Sequence, residues 1–198
     1  MVSAILLAAG SSQRMGAVNK LLLPWRDNTI VATVAGHLLA AGLEEIIVVT
    51  GHQAPGIESA LQSMPVRFVH NPSFATGLTG SIQKGVSIAK ADGYMICLAD
   101  MVLVTPEEYS LLSAAFQERR ALDDRCIILP EFKDTIGNPV IFSAAYRSDI
   151  LQHPEKEGCK SLVRSNKDHH LRVHMPSDHV LRDIDYPDDY KALTPTPP

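Results

Sequence analysis

The sequence predicts a three-layer α/β fold, Rossmann-like in its first half, with a mostly parallel central sheet and a small β-excursion in the second half. Three observations carry this. Several short segments are apolar along their whole length instead of alternating, the mark of strands covered on both faces of a sheet. They alternate at short intervals with segments of helical spacing, as βα units do. After Arg125 the alternation stops, and two strand-like runs follow one another without a helix between them.

In chain order, Ala4–Ala8 is the first strand, and a glycine loop leads to a helix over Thr29–Ala41 that stops at Gly42. The β-branched run Glu45–Thr50 is the second strand and Ala54–Leu61 a short helix. "VRFVHN" is a third strand, Ser81–Ala91 a helix and "YMICLAD" a fourth strand. Pro106–Arg119 is a helix, with Thr105 as its cap and proline in the first turn. "CIILPEFKDTIGNPVIFS" reads as two strands joined by a polar loop. Ala144–Gln152 and Lys160–Arg164 read as helical, "LRVHM" and "VLRDID" as short strands, and Asp188–Leu193 as a closing helix after Pro187.

The 198 residues, 45% hydrophobic and 20% charged, suit one domain over 1–198. Eighteen basic against 22 acidic residues give a net charge of −4, which offers no basic field for nucleic-acid backbone. No nucleic-acid partner is therefore expected. Cys97, Cys126 and Cys159 are odd in number and far apart, and the first and second lie in apolar runs, so they are expected as buried thiols of a reducing compartment. "MVSAILLAAG" has no basic region before it and too short an apolar run to span a bilayer, so no membrane association and a cytoplasmic location are expected.

In parallel sheets of this kind ligands sit beyond the carboxyl ends of the strands, which makes the loops after Ala8, Thr50, His70 and Ala99 the candidates. The first of these lies in "ILLAAGSSQRMGAVNKLLLPW". Gly10 and Gly16 are separated by five residues and Lys20 follows after three more, so both spacings of the phosphate loop GxxxxGK[ST] fail, as does GxGxxG. Even so, small residues at Ala9, Gly10, Ser11 and Ser12 let backbone N–H groups approach an anion, and Arg14 and Lys20 supply positive charge. The loop has the composition of a polyphosphate cradle.

On these residues the chain resembles the nucleotidyltransferases of the nucleotide-diphospho-sugar transferase fold. It is most similar to the molybdenum cofactor cytidylyltransferase and guanylyltransferase family, whose signature LAAGxSxRMGxxK is close to "LAAGSSQRMGAVNK". The likeness continues through "NPSFATGLTGSIQKGV" (Asn71, Pro72, Gly77, Ser81), "CLADMVLVTP", "GNPVIF", "EGCKSLVRS" and "DIDYPDDY", and so spans nearly the whole chain. It departs at Val102, where the family has proline, and at "KDTI" (Lys133–Ile136), which replaces a glycine-rich basic lead. Both departures bear on the acceptor side of the cleft.

The resemblance implies transfer of CMP from CTP to a phosphate-bearing acceptor, molybdopterin carrying molybdenum, with release of pyrophosphate and Mg²⁺ as cofactor. It divides the chain into a nucleotide-binding half, 1–104, and an acceptor-binding half with the closing metal motif, 105–198. Arg14, Lys20 and Asp100 are implied as catalytic residues, and Asp100 with Asp185 as metal ligands. Leu7, Ala8, Ala9, Gly10, Ser12, Arg14, Lys20, Gly77, Ser81 and Asp100 are implied as the nucleotide site, with Ala9 in place of Gly favouring cytidine. On sequence alone Asp183 and Asp188 rival Asp185, and the motif selects Asp185. A molybdenum enzyme or its chaperone is the implied protein partner. Three alternatives stay open: another acceptor such as a sugar, polyol or phospholactate phosphate, GTP as donor, or a non-catalytic accessory that holds cofactor for a molybdenum hydroxylase. The histidines around Asp168–His170 lack metal-ligand spacing, and GxSxG is absent, so neither a histidine metal site nor a serine hydrolase is expected.

Overall fold

The structure, a computed structural model, describes residues 1–12, 15 and 18–193. Its strands are β1 (Val2–Ala8), β2 (Pro24–Trp25), β3 (Asn28–Thr29), β4 (Glu45–Thr50), β5 (Arg67–His70), β6 (Gly93–Leu98), β7 (Ile127–Phe132), β8 (Thr135–Ile136), β9 (Val140–Ser143) and β10 (His170–His174). The helices are α1 (Ile30–Ala40), α2 (Ala54–Ala60), α3 (Leu78–Ile88), α4 (Pro106–Arg120), α5 (Arg147–Leu151), α6 (Lys160–Ser165) and α7 (Pro187–Leu193).

One eight-stranded sheet runs in the order β10-β7-β9-β6-β1-β4-β5, with β8 paired to β7. β1 is parallel to both its neighbours, β4 to β5 and β7 to β10, whereas β9 is antiparallel to both β6 and β7. The second half therefore contributes strands to the main sheet itself. β7 and β9 are the two strands expected from "CIILPEFKDTIGNPVIFS", and the loop between them carries the short β8 hairpin.

Every residue of β1 is buried. Because side chains alternate along a strand, Ala4, Leu6 and Ala8 enter the core shared with α1 and α4, while Ile5, Leu7 and Ala9 enter the one shared with α3 and α5. Thr29 caps α1 by accepting from the Ala32 N–H, and Thr105 and Glu108 form a reciprocal capping box on α4. α3 presses closest to the sheet: a Cβ at Gly85 would collide with the Ile5 side chain. That contact fixes the height at which the start of α3 meets the carboxyl ends of β1 and β4.

Two local expectations change. α3 begins at Leu78, three residues before Ser81, because Gly77 takes φ 135°, a conformation open to glycine, and so ends the preceding turn. "VLRDID" forms no strand: His179–Leu181 is a single 3₁₀ turn, and Asp183–Asp185 follows without regular structure. Its apolar Val180 and Ile184 are buried, which gave the segment its strand-like pattern. The three cysteines are free and buried, and burial pushes the Cys159 thiol up to about 11. Among the described residues no helix is long and apolar enough to cross a membrane.

Candidate active site

A cavity of about 550 Å³ opens at the carboxyl ends of β1 and β6. One wall is backbone and small side chains. Leu7, Ala9, Gly10, Ser11 and Ser12 follow β1 into the glycine loop, and Phe74, Ala75, Gly77, Leu78 and Ser81 lead into α3. The buried Asn71 organises this second segment: its side-chain amide donates to Ser81 Oγ at 3.0 Å, and its carbonyl accepts from the Ser73 N–H at 3.1 Å. Gly77 packs against Lys156, leaving no room for a Cβ. Thr79 Oγ1 accepts from the Gly158 N–H at 2.9 Å, so the 156–158 loop braces the start of α3.

The opposite wall is charged. Lys20 stands on a 3₁₀ turn, Lys20–Leu22, capped by the buried Asn19. Its backbone N–H donates to Ser12 Oγ, which ties the turn to the glycine loop. Lys20 Nζ lies 2.6 Å from Asp100 Oδ2 and 3.0 Å from Asp185 Oδ1. Burial alone would lower the Lys20 ammonium, but Asp100 and then Asp185 outweigh it and hold it above its ordinary value. Asp100 immediately follows the strand end of β6, where the Ala99 N–H still bonds to Leu7. Asp185 is fixed from behind, since the Asp189 carboxylate accepts from the N–H groups of Asp185 and Tyr186. The Ile184 N–H donates to the Asp100 carbonyl, joining the two segments.

The carboxyls of Asp100, Asp183 and Asp185 each place an oxygen within 4.8 Å of the others. Asp183, though exposed at the surface, is held above its ordinary value by lost hydration and then by the negative Asp100 and Asp185 nearby. Its place was legible as a spacing: Asp183 and Asp185 flank the buried Ile184, so in extended chain both leave the same side. A divalent cation suits this donor set. All donors are hard carboxylate oxygens, and Asp100 Oδ1 is buried without a hydrogen-bond partner among the described residues.

Of the residues implied by the sequence, Leu7, Ala9, Gly10, Ser12, Lys20, Gly77, Ser81, Asp100 and Asp185 meet in this one cavity. Ala8 does not. Its side chain lies in the core on the opposite face of β1, because alternation turns it away from Leu7 and Ala9. Arg14 lies outside the described residues. Sequence reading did not single out Phe74, Leu78, Leu21 and Leu98, the apolar lining; an aromatic among small residues in "NPSFATG" was the available signal for the first.

The sequence matches the MobA-like NTP transferase domain family over residues 4–172. It is 27% identical over 190 residues to the molybdenum cofactor cytidylyltransferase of Escherichia coli (strain K12), covering 96% of this chain and 93% of that one. It is also 27% identical over 160 residues to the nicotine blue oxidoreductase of Paenarthrobacter nicotinovorans, covering 75% of this chain and 74% of that protein. Among solved structures, a nucleotidyl transferase from Methanothermobacter thermautotroptrophicus superposes with a TM-score of 0.83 at 27% identity, covering 98% of this chain and 95% of that one.

Proposed function

The chain belongs to the MobA-like NTP transferase family, and on that premise we propose that it transfers CMP from CTP to a phosphate-bearing acceptor, molybdopterin carrying molybdenum. An acceptor phosphate oxygen attacks the α-phosphorus, and the bond to the bridging oxygen of the β-phosphate breaks. Pyrophosphate departs with the bonding electron pair. The observation that carries this reading is the convergence of Lys20, Asp100 and Asp185 at the rim of a cavity whose far wall is glycine loop and helix start.

Within this reading residues 1–104 hold the nucleotide and 105–198 the acceptor and closing carboxylates. Backbone at Ala9 and Gly10 reads the base edge, and Ser81 stands near the ribose. Such a reaction needs little covalent help, so orientation and charge neutralisation set its rate. Lys20, joined by Arg14, neutralises charge on the departing pyrophosphate. Asp100 and Asp185, with Asp183 beside them, would hold Mg²⁺, which supplies charge stabilisation at the phosphate oxygens. CTP and the molybdopterin acceptor are supported by the similarity to the Escherichia coli cytidylyltransferase. The family resemblance of the sequence motifs is the ground for a molybdenum enzyme or its chaperone as the protein that receives the product.

The test is pyrophosphate release with each of the four nucleoside triphosphates, Mg²⁺ or Mn²⁺, and candidate acceptors. Release with CTP and molybdenum-loaded molybdopterin, strongly reduced in Asp100→Ala, is the expected result. Release with a sugar or polyol phosphate, or with GTP only, would replace the acceptor or donor while keeping the reaction. No release with any pair would sink the transferase reading.

A further inference from the structure

We infer that Glu108 is a positioning residue, setting the spacing between the chain segment that carries Asp100 and the one that carries Asp183 and Asp185. The third helical residue of a capping box is ordinarily a surface side chain, yet Glu108 is 3% exposed. Its carboxylate is satisfied within the protein. Oε2 accepts from the Thr105 N–H at 2.9 Å and from His179 Nδ1 at 3.1 Å, and Oε1 accepts from Ser177 Oγ at 2.6 Å. Ser177 Oγ in turn accepts from the His179 N–H at 3.1 Å. A single buried carboxylate thus joins the start of α4 to the 177–179 turn.

The two segments lead straight to the site. Going back from Thr105, the chain reaches Asp100 through a short loop; going forward from His179, it reaches Asp183 and Asp185. Between those carboxylates the direct backbone tie is a long one, the Ile184 N–H to the Asp100 carbonyl at 3.3 Å. Burying a carboxylate costs several kcal/mol of lost hydration, so an apolar residue would serve packing alone more cheaply. Three convergent donors are what a carboxylate adds, and they fix direction as well as distance.

The consequence for metal binding rests on the transferase reading above, whereas the consequence for backbone geometry does not. Glu108→Gln keeps shape but replaces the charged acceptor with a neutral amide, so the bonds from Thr105 and His179 lose their charge assistance and the one with Ser177 has to reverse. Two readouts follow. Hydrogen exchange at the Ile184 amide is expected to speed up about tenfold while the β1 and β4 amides keep their protection. Mn²⁺ binding, followed by electron paramagnetic resonance in the presence of CTP, is expected to weaken on the order of tenfold. Ser177→Ala, which leaves the capping box intact, is expected to shift both readouts the same way by a smaller factor. Thr105→Ala breaks the cap yet leaves the ties to Ser177 and His179. It should lower the melting temperature without moving either readout.

Unchanged exchange at Ile184 in both Glu108→Gln and Ser177→Ala would overturn the inference. So would equal effects of Thr105→Ala and Ser177→Ala, since a merely structural role predicts that. Wild-type protein that binds no Mn²⁺ and releases no pyrophosphate would instead count against the transferase reading, with the exchange result still deciding the role of Glu108.

Discussion

The two ends of the central sheet handle charge in opposite ways. At the amino ends of the parallel strands, carboxylates and cations are matched. Glu45 meets Arg67 at 2.6 Å, and Asp92 receives the amino terminus at 2.7 Å and Arg120 at 3.2 Å. At the carboxyl ends, among the described residues, Asp100, Asp183 and Asp185 crowd together with Lys20 as the cation bridging two of them. Matched pairs at the surface contribute little and ask for nothing more. A crowded set of carboxylates is costly to keep, and in the proposed reaction a cation and phosphates would offset that cost. The contrast points to the same end of the sheet that the proposed reaction uses.

The largest expected effect is at the crowded end. Asp100→Ala should reduce pyrophosphate release about 10³-fold, with the thermal transition near that of wild type. A melting temperature that collapses with activity would mean that Asp100 holds the fold instead of the reaction. Lys20→Met comes next, with turnover lower by about 10²-fold. The same substitution should tighten Mn²⁺ binding in the absence of nucleotide, because the ammonium and the metal compete for the same oxygens. Weaker Mn²⁺ binding in Lys20→Met would break the comparison.

Gly85→Ala tests the opposite wall. Its methyl group would strike Ile5, and overpacking of this kind costs about 1–3 kcal/mol. Urea unfolding should report that loss, and turnover should fall less than in Lys20→Met, because the methyl group displaces the helix that carries Gly77 and Ser81. The smallest effect belongs to the matched end. The Glu45 carboxyl, which burial would raise, is instead held below its ordinary value by bonds from Ser3, the Lys90 N–H and Arg67. A lowered carboxyl stabilises the fold above the ordinary carboxylate range, and that contribution disappears as pH falls through the folded value. Glu45→Gln should therefore cost under about 1 kcal/mol at pH 7, with the gap in urea midpoint closing as pH falls below the ordinary carboxylate range.

The backbone wall was the more legible part of the molecule. Glycine, small residues and an apolar strand end speak through local sequence, and so β1, β4, β6 and the loop after Ala8 were placed directly. The charged wall depends on pairings between distant segments that no local pattern encodes. Asp183 shows it: the motif resemblance named Lys20, Asp100 and Asp185, with Asp183 only a rival to Asp185, whereas the folded chain sets Asp183 beside both Asp100 and Asp185. Burial of Val180 and Ile184 misled the same segment into a strand, since apolar residues beside a buried turn resemble a short strand in a linear reading. Ala8 shows a related point, that a motif position says nothing about which face of the strand a side chain leaves; only its backbone is left to face the cavity side. Glu108 left no signal beyond a capping box, because its burial is created by a turn some seventy residues later.

The antiparallel β9 also sets an order of assembly. β7 reaches the rest of the sheet only through β9, and β10 only through β7. The chain must therefore emerge through Ser143 before either can dock, and the closing carboxylates come later still. During synthesis the glycine loop, α3 and Asp100 can gather around β1, β4, β5 and β6 well before Asp183 and Asp185 exist. A nascent or truncated chain would thus carry the backbone wall without the complete charged wall, and under the proposed reaction it would not spend nucleotide.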